Sequence, residues 1–459
     1  MKDMPSDSTP VQPSFASRMA EASGLYAASF AGEEDVLHIS RVKHFSGQVD
    51  LPGSKSIANR ALLMAAMGTS GGGCLLSRLP DSEDVTVLKK ILPSLGVRVD
   101  SQSDGTRISA DGLQPAESYF YVENAGTAMR PMLAVLSAIG GEYTIEGNEQ
   151  MNRRPIGDLA HCLRSLGVEV HASEGGCPPV RISGNGWKSD RAKIQGKTSS
   201  QFVSAMLLAA PLTGKDFVLE LADDPVSKPY IDLTLSMMLD FGVSVEREGY
   251  QRFVIPGDQV YRAPEHYEIE GDASAATYFL AAAAIPGHGP IRVHGLGTGS
   301  IQGDTRFCEI LESMGARISM EGHSIECTGG SHLRALDLDM NAMPDAAMTL
   351  ATLNLFADGP SRIRNIANLR VKESERIAGI RTELERTGAR VIETLDSLSI
   401  EPPQKVQSAR FHTYRDHRMA MAFSLVAASA DIEIMDPGCV RKTYPDYFLD
   451  FARVAERGD

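Results

Sequence analysis

Arginine and lysine side chains recur beside stretches of small and polar residues along this chain. The segment PGSKSIANR contains Lys55 and Arg60, and NAGTAMRP contains Arg130. The same pattern in MNRRPIGDL, NLRVKESERI, RDHRMAM and RKTYPDYF adds Arg154, Arg370, Lys372, Arg376, Arg415, Arg418, Arg441 and Lys442. A guanidinium beside apolar segments is costly to bury unless it meets an anion, and Arg contacts phosphate and carboxylate through two parallel hydrogen bonds. The sequence therefore predicts one site for a polyanionic ligand.

Other motifs narrow the chemistry of that site. The segment KTSSQF has no GxSxG elbow, so Ser199, Ser200 and Gln201 suit phosphate binding better than nucleophilic catalysis. The segment GSKS lacks the GxxxxGK[ST] pattern of a nucleotide-binding P-loop. No HExxH motif and no paired cysteines occur, so the sequence implies no metal.

Five glycines mark a repeat in the elements that must position these side chains. Gly96, Gly167, Gly242, Gly315 and Gly388 follow one another at intervals of 71, 75, 73 and 73 residues. Each glycine stands between an amphipathic helix pattern and an alternating strand pattern. This position is typical of a glycine that ends a helix in the left-handed backbone conformation. A spacing this regular indicates internal duplication of one structural unit.

Six nearly apolar segments alternate with these glycines. They are SKSIANRALLMAAM, NAGTAMRPMLAVLSA, KTSSQFVSAMLLAAPL, GDASAATYFLAAAAIPG, MPDAAMTLATLNLFADG and YRDHRMAMAFSLVAAS. A helix that is apolar on every side is buried, so we predict six units of strand, buried helix, strand, amphipathic helix, strand and strand. Each buried helix begins with small or capping residues, whose free N–H groups and partial positive charge attract anions. The repeat would bring these helix starts to a common centre.

Composition excludes several classes of protein. The chain has 45 Lys and Arg against 59 Asp and Glu, and this net charge of −14 disfavours binding to nucleic acid or to a membrane surface. No apolar run reaches the roughly 20 residues of a membrane span, and the first residues lack a signal-peptide pattern. The six cysteines are widely scattered, as in a reduced protein. We expect a cytoplasmic monomer.

Ten segments are similar, in order, to those of the 5-enolpyruvylshikimate-3-phosphate synthase family, from about Val36 to the end. They are LPGSKSIANRALL, NAGTAMRP, RPIGDL, SSQF, VSKPYIDLT, GDASAATYFLAAAA, MPDAAMTLAT, LRVKESERI, DHRMAMAFSL and KTYPDYF. Several are long and specific, which excludes chance similarity. The related UDP-N-acetylglucosamine enolpyruvyl transferases rely on a cysteine that the segment EGNEQMNRRP lacks here.

The resemblance implies an α/β (α+β) fold, a two-domain inside-out α/β barrel of six βαβαββ repeats, three per domain, with buried helices. One discontinuous domain would comprise residues 36–51 and 271–459, and the other residues 52–270. The chain would cross between them near Leu51–Pro52 and Glu270–Gly271. The strand at about Val36–Leu51 would complete the last repeat. Residues 1–35 would form a flexible arm, with a short surface helix over Phe15–Ala31.

Site residues carry over from the family to the matching positions of this chain. Shikimate-3-phosphate would contact Ser56, Arg60, Ser199, Ser200, Ser227, Tyr230, Asp345, Asn368 and Lys372. Phosphoenolpyruvate would contact Lys55, Gly126, Arg154, Gln201, Arg376, Arg418 and Lys442, beside a loop with Asn124, Thr127 and Arg130. Gly126 would leave space for phosphoenolpyruvate, and it matches the position at which the family is sensitive to the inhibitor glyphosate.

The resemblance also implies a reaction that needs no cofactor. The 5-hydroxyl of shikimate-3-phosphate adds to C2 of phosphoenolpyruvate while C3 takes a proton, and the tetrahedral intermediate then loses phosphate. Asp345 is the candidate general base, and Glu373 and Lys55 are candidates for proton transfer at C3 and at the phosphate. The residues leave open which of these two protonates C3. Arg130, Arg154 and Arg418 would stabilise the developing charge.

Three alternative functions are weighed against this one. A UDP-sugar enolpyruvyl transferase is disfavoured by the missing cysteine. A non-catalytic anion-binding scaffold would lack an acid or a base, whereas Asp345 and Glu373 are both present. An RNA-end-processing enzyme built from similar units is disfavoured by the net charge of −14. Two charged substrates held between two domains also predict that the cleft closes on binding.

Overall fold

The computed structural model describes residues 14–31, 34–68 and 72–457. Two hydrophobic cores divide these residues. The first core is formed from residues 15–51 and 273–454, and we call residues 14–51 and 271–457 the terminal half. The second core is formed from residues 57–269, and we call residues 52–270 the central half. None of the described helices is long and apolar enough to cross a membrane.

Buried and amphipathic helices alternate along the described chain. The helices are α1 Phe15–Ala22, α2 Lys55–Met67, α3 Glu83–Ile91, α4 Gly126–Ile139, α5 Gly157–Ser165, α6 Ser200–Ala209, α7 Lys228–Asp240, α8 Ala273–Ala284, α9 Phe307–Met314, α10 Ala347–Leu353, α11 Arg376–Glu385, α12 His417–Phe423 and α13 Tyr447–Arg453. From α2 onwards the even-numbered helices α2, α4, α6, α8, α10 and α12 are buried along almost their whole length, which confirms the predicted set.

The strands are short and lie between these helices. They are β1 Tyr26–Ala31, β2 Glu34–Ile39, β3 Val42–Phe45, β4 Gly47–Asp50, β5 Cys74–Ser77, β6 Arg98–Gln102, β7 Gly105–Ser109, β8 Tyr119–Tyr121, β9 Gly141–Glu146, β10 Glu169–Ser173, β11 Cys177–Gly184, β12 Arg191–Ile194, β13 Phe217–Leu221, β14 Glu246–Glu248, β15 Arg252–Ile255, β16 His266–Glu268, β17 Ile291–His294, β18 Arg317–Met320, β19 Ser324–Thr328, β20 Asp337–Asp339, β21 Ser361–Arg364, β22 Arg390–Glu393, β23 Leu398–Glu401, β24 Ala409–Phe411, β25 Ile432–Met435 and β26 Ala455–Arg457.

Six four-stranded sheets share one topology. Their orders are β16-β5-β7-β6, β8-β9-β11-β10, β12-β13-β15-β14, β4-β17-β19-β18, β20-β21-β23-β22 and β24-β25-β2-β1. In each sheet the first two strands are parallel and the other neighbours are antiparallel. The glycines that revealed the repeat, Gly96, Gly167, Gly242, Gly315 and Gly388, all have positive φ angles between 82° and 112°. The predicted α/β fold of six repeats is therefore confirmed.

The chain passes between the halves twice, once directly after β4 and once directly after β16. The β4 strand precedes α2 of the central half in sequence but pairs with β17 of the terminal half, and β16 precedes α8 but pairs with β5. The crossover segments lie side by side, because Gly53 and Gly271 form an antiparallel bridge. Ser54 N donates to Glu270 O at 2.7 Å, and Asp272 N donates to Pro52 O at 2.9 Å. The two crossovers are therefore hydrogen-bonded to each other where the chain passes between the halves.

Residues 14–31 differ from the predicted arm, whose residues 1–13 lie outside the described part of the chain. Phe15 and Met19 of α1 are buried in the core of the terminal half. The Asp35 carboxylate accepts hydrogen bonds from Ser14 Oγ at 2.8 Å and from Ala16 N at 2.7 Å, which holds the start of α1. The predicted helix over 15–31 ends at 22, and the predicted strand over 36–51 is divided into β2, β3 and β4. The β1 strand was not predicted because an edge strand pairs through its backbone, and its side chains need not alternate between apolar and polar.

Candidate active site

A cavity between the two halves gathers most of the predicted site residues. It is lined by Lys55, Ser56, Arg60, Asp84, Gly126, Thr127, Arg154, Ser199, Ser200, Gln201, Ser227, Tyr230, Asp345, Asn368, Lys372, Glu373 and Arg418. Every one of these except Asp84 is a residue that the sequence predicts for the site. Four further predicted residues contact or approach the lining from behind: Asn124, Arg130, Arg376 and Lys442.

The buried helices bring these side chains together. Lys55, Gly126 and Ser200 are the first residues of α2, α4 and α6, and Arg418 is the second residue of α12. Asp345 stands two residues before α10. Five of the six helix starts therefore meet at this cavity, while the start of α8 lines an adjoining one, and their free N–H groups and partial positive charges favour anions there.

Arg60 is a buried guanidinium that is held by neutral groups. Its Nε donates to Thr234 Oγ1 at 2.9 Å, its Nη1 to Ser56 O at 2.9 Å and its Nη2 to Ser204 Oγ at 3.4 Å. Among the described residues it forms no ion pair, although it is only 6% exposed. Burial lowers the pKa of Arg60 to about 10. An uncompensated buried cation favours an anionic ligand.

Hydroxyl groups line the same side of the cavity. Ser199 caps α6 and accepts a hydrogen bond from Gln201 N at 3.2 Å. Ser227 precedes α7 with a φ of 55°, a left-handed conformation that is costly for a residue with a side chain and often marks functional sites. Its Oγ accepts a hydrogen bond from Asn368 Nδ2 of the other half at 3.4 Å. Serine hydroxyls and helix N–H groups of this kind suit a phosphate.

Asp345 lies among three cations. Its Oδ1 is 2.9 Å from Arg376 Nη1 and 3.8 Å from Lys372 Nζ, and its Oδ2 is 3.0 Å from Arg418 Nη2. Burial by itself would raise the pKa of Asp345, but Arg418, Lys372 and Arg376 together hold the pKa well below its usual range. The carboxylate is therefore ionised at neutral pH, and the same three cations make it a weak base in this state.

Arg376 and Glu373 belong to a dense network beside Asp345. Arg376 is 1% exposed and donates to Glu373 Oε2 at 2.9 Å, to Asp345 and, through two nitrogens, to Asp416 at 2.7 and 3.2 Å. Its donors are thus occupied by three carboxylates, and it lies behind the cavity lining. Glu373 is also 3.6 Å from Arg154 of the other half. Although burial opposes it, Arg154 and Arg376 hold the pKa of Glu373 well below its usual range.

Asp84 is a cavity residue that the sequence analysis missed. Its carboxylate pairs with Lys55 at 3.1 Å and with Lys442 of the other half at 2.7 Å. Lys442 Nζ also donates to Asn124 O at 2.5 Å. Burial alone would raise the pKa of Asp84, but Lys442 and Lys55 bring it below its ordinary value. Asp84 lies in the first turn of α3, where an acid is common in any helix because it interacts favourably with the helix dipole. Its position in the sequence therefore did not indicate a functional role.

Asp416 was missed for a similar reason. It is fully buried, and its Oδ1 accepts a hydrogen bond from Arg418 N at 3.0 Å as the N-cap of α12. Aspartate is a common N-cap, so the DHR segment indicates a helix start without showing the pairing with Arg376.

Gly126 provides room for two guanidinium groups. A Cβ atom at this position would lie 2.1 Å from Arg130 Nη1 and 3.0 and 3.1 Å from the Arg154 Nη atoms. Arg130 is 3% exposed and has no carboxylate partner in the described chain, and burial, followed by the charge of Arg154, lowers its pKa well below the ordinary value. Asn124 Oδ1 accepts from Arg154 Nη1 at 3.2 Å, and Thr127 Oγ1 accepts a hydrogen bond at 2.7 Å from a buried asparagine of α2.

Three of the cations in the sequence pattern neither line the cavity nor lie directly behind its lining. Arg370 pairs with Glu375 at 3.1 Å, and Arg441 pairs with Glu83 of the other half at 3.5 Å. Arg415 is exposed in a neighbouring groove. Within the described ranges no group of three or more His, Cys, Asp and Glu side chains is arranged to hold a metal ion.

Residues 39–451 match the family model of EPSP synthase (3-phosphoshikimate 1-carboxyvinyltransferase). The chain belongs to this family. It is 46% identical over 430 residues to the 3-phosphoshikimate 1-carboxyvinyltransferase of Tolumonas auensis, an alignment that covers 92% of this chain and 100% of the relative. It is 48% identical over 423 residues to the enzyme of the same name from Edwardsiella ictaluri, with 91% of this chain and 98% of the relative covered.

Solved structures show the same fold. The EPSP synthase of Acinetobacter baumannii superposes with a TM-score of 0.76 at 24% sequence identity, and the match covers 92% of this chain and 99% of that chain. The predicted family, enzyme class and reaction are confirmed by the family match. The protein is a transferase of aromatic amino acid biosynthesis, which moves the enolpyruvyl group of phosphoenolpyruvate to shikimate-3-phosphate.

Proposed function

We propose that the cavity between the halves holds both substrates of this transfer side by side, with the residues carried over from the family in their predicted roles. The observation that carries the proposal is Arg60, a buried guanidinium with neutral partners only, directly beside a row of hydroxyl groups. A cation of this kind needs an anion for compensation, and the ring carboxylate of shikimate-3-phosphate supplies one.

Shikimate-3-phosphate lies along the hydroxyl-lined side of the cavity in this proposal. Ser199, Ser200 and Ser227 hold its phosphate, and Arg60 holds its carboxylate. The remaining contacts to this substrate come from Ser56, Tyr230, Asp345, Asn368 and Lys372. The support for this arrangement is that all of these residues line one cavity.

Phosphoenolpyruvate lies on the cationic side. Its direct partners are Lys55, Arg154, Gln201 and Arg418, with Gly126 below it and with Asn124, Thr127, Arg130, Arg376 and Lys442 around them. Arg130 and Arg154 support this placement, because each has a buried Nε without a hydrogen-bond partner among the described residues. Guanidinium groups that are short of acceptors favour a small anion with a phosphate and a carboxylate. Glyphosate, which is also anionic, would occupy the same place.

The reaction then follows from the positions of the acids and bases. Asp345 removes the proton of the 5-hydroxyl as the oxygen attacks C2. Lys55, or Glu373 once it has taken up a proton, delivers a proton to C3. The same group then takes a proton back from C3 as the C2–O bond to phosphate breaks, which leaves the enolpyruvyl ether and inorganic phosphate. Anionic substrates share the cations that now surround Asp345, so substrate binding raises the pKa of Asp345 and makes it a better base.

Three finer expectations remain part of this proposal. The chain forms domains of residues 36–51 plus 271–459 and of residues 52–270, and residues 14–31 pack on the first of these. The protein acts as a monomer, because each chain supplies both sides of its own cavity. It works in the cytoplasm.

The proposal is tested by release of inorganic phosphate. The protein is mixed with phosphoenolpyruvate and shikimate-3-phosphate, and in parallel with phosphoenolpyruvate and UDP-N-acetylglucosamine. Variants Asp345→Ala and Lys55→Ala test the roles of the two residues. Asp337→Ala and Lys43→Ala are matched controls, because both side chains are exposed and neither lines the cavity.

We expect release with shikimate-3-phosphate alone, with kcat lowered by about a thousandfold in each site variant and unchanged in the controls. Release with the UDP-sugar alone would overturn the substrate assignment. Full activity of Asp345→Ala with shikimate-3-phosphate would overturn the assignment of the general base.

A further inference from the structure

Asp304 is a buried carboxylate between the two halves that the proposed mechanism does not use. It is 4% exposed, and within the described residues it forms no ion pair. Its Oδ2 accepts hydrogen bonds from Ser274 Oγ and, across the cleft, from Tyr230 Oη at 3.5 Å. Its Oδ1 is buried and has no hydrogen-bond partner in the described part of the chain. A buried carboxyl with hydroxyl partners only is costly, so its presence calls for an explanation.

A small cavity around Asp304 adjoins the active-site cavity. Four residues line both cavities: Lys55, Ser56, Tyr230 and Arg418. Beside Asp304, Gly303 packs on Pro229 so closely that a Cβ at position 303 would lie 2.2 Å from Pro229 Cβ. The segment that carries Asp304 in the terminal half therefore rests on the first turn of α7 in the central half, and this turn presents Tyr230 to the active-site cavity.

Burial shifts the Asp304 carboxyl towards its neutral form, and either form can accept a hydrogen bond. Burial, and after it the charge of Asp345, raise the pKa of Asp304 to about 6. The hydrogen bond from Ser274 and the charge of Arg418 act in the opposite direction, and Asp272 adds a smaller upward effect. Both protonation states keep an oxygen that accepts the hydrogen bond of the Tyr230 hydroxyl.

We propose that Asp304 is a positioning residue for the transfer reaction, because its carboxyl fixes the Tyr230 hydroxyl across the cleft and thereby the surface that α7 presents to shikimate-3-phosphate. This inference rests on the proposed function, which places Tyr230 against that substrate. Asp304 lines only the adjoining cavity and acts through Tyr230. Its effect therefore falls on the binding of shikimate-3-phosphate and not on phosphoenolpyruvate or the chemical step.

Steady-state kinetics of the full chain test the proposal. In Asp304→Ala we expect the KM for shikimate-3-phosphate to rise about tenfold, with kcat and the KM for phosphoenolpyruvate within about threefold of the unmodified protein. Asp304→Asn keeps an acceptor oxygen and should return the KM to within about threefold of the original. Glu309→Ala is the matched control, because it removes an exposed carboxylate near Asp304 in sequence that lines neither cavity, and it should leave all three constants unchanged.

A double-mutant cycle separates positioning through Tyr230 from a general structural role. In Tyr230→Phe the hydroxyl is already absent, so Asp304→Ala should raise the KM by less than about twofold more. Equal factors in the two backgrounds would overturn the proposal. If thermal unfolding shows that Asp304→Ala does not fold, Tyr230→Phe alone decides, and an unchanged KM for shikimate-3-phosphate in that variant would overturn it.

A failure of the role proposed for Asp304 can be distinguished from a failure of the proposed function. No phosphate release by the unmodified protein with shikimate-3-phosphate would overturn the proposed function itself. Normal turnover by the unmodified protein with independent effects of Asp304→Ala and Tyr230→Phe would overturn only the role of Asp304.

Discussion

Lys442 Nζ lies 2.7 Å from Asp84 Oδ1, and this buried ion pair joins the terminal half to the central half. The other oxygen of the same carboxylate is 3.1 Å from Lys55 Nζ. One acid therefore sits between two lysines that the proposed function assigns to phosphoenolpyruvate. This pairing explains how a cleft with so many cations holds together, since carboxylates of the protein itself neutralise much of the charge.

The Gly126→Ala substitution tests the placement of phosphoenolpyruvate. The new methyl group would press on the guanidinium groups of Arg130 and Arg154, so both must move from the anion they hold. We expect the KM for phosphoenolpyruvate to rise by about tenfold or more, with increased tolerance to glyphosate and little change in the KM for shikimate-3-phosphate. Gly322→Ala is the control, because a Cβ there meets no atom within 4 Å. Unchanged values for both ligands would refute the placement.

Arg60→Met tests whether the buried guanidinium serves binding or folding. The substitution removes an uncompensated buried charge, so we expect the free energy of unfolding to fall by no more than about 1 kcal/mol. The KM for shikimate-3-phosphate should rise by about a hundredfold, because the carboxylate loses its partner. Shikimate-3-phosphate should raise the Tm of the unmodified protein but not that of the variant. A large loss of stability with normal substrate binding would show that Arg60 is structural.

The acid between the two lysines predicts how stability depends on pH. The folded pKa of Asp84 lies below its unfolded value of about 3.8, so the ionised form stabilises the fold above that pH and the contribution is lost as the pH falls through the folded pKa. Asp84→Asn should therefore lower the Tm at pH 7, and the difference from the unmodified protein should shrink towards pH 3. Asp337→Asn, an exposed acid, provides the control. A Tm difference that is constant over this range would contradict the prediction.

His288 predicts a second pH effect of distinct origin. Burial, followed by the charges of His44 and Arg41, lowers the pKa of His288 to about 4, and its Nδ1 accepts the Phe45 N–H at 3.0 Å. Because the unfolded imidazole has a pKa near 6.5, it takes up a proton first as the pH falls, and stability is lost from about pH 6.5 down through about pH 4.

His288→Asn keeps an acceptor for the Phe45 N–H but cannot titrate. The Tm advantage of the unmodified protein over this variant should therefore decrease between pH 7 and pH 4.5, as measured by thermal unfolding. The exposed His332→Asn should show no such trend. A difference that grows on acidification would show that His288 is charged in the fold.

Polar contacts bridge the cleft, whereas the two halves have separate hydrophobic cores, which predicts a change of shape on binding. Besides the Lys442–Asp84 pair, Arg154 approaches Glu373 at 3.6 Å and Gln150 Nε2 donates to Glu373 O at 3.2 Å. Two bound anions add bridges between the halves, so we expect the radius of gyration in small-angle scattering to fall with shikimate-3-phosphate and glyphosate. Arg60→Met should not contract at the same ligand concentrations. Unchanged scattering of the unmodified protein would count against closure.

Local patterns were enough to predict the repeat, the buried helices and the cations of the cavity, whereas Ser227, Tyr230 and Asn368 were predicted only by the resemblance to the family. The spacing of Gly96, Gly167 and the later glycines follows from helix ends that need a positive φ, which is a local property of the backbone. An apolar helix that begins with small or capping residues can also be recognised from consecutive residues of the sequence. For this reason Lys55 and Gly126 were recognised in the sequence before any contact was known.

The tertiary structure alone decided how the charges are paired. Asp84 and Lys442 are far apart in sequence and lie in different halves, so no local pattern links them. Arg376 is saturated by three carboxylates, whereas Arg60 has none, although both are arginines beside apolar helices. Burial and the distance to the nearest opposite charge set the energy of an ion in a protein, and both depend on which segments the fold brings together.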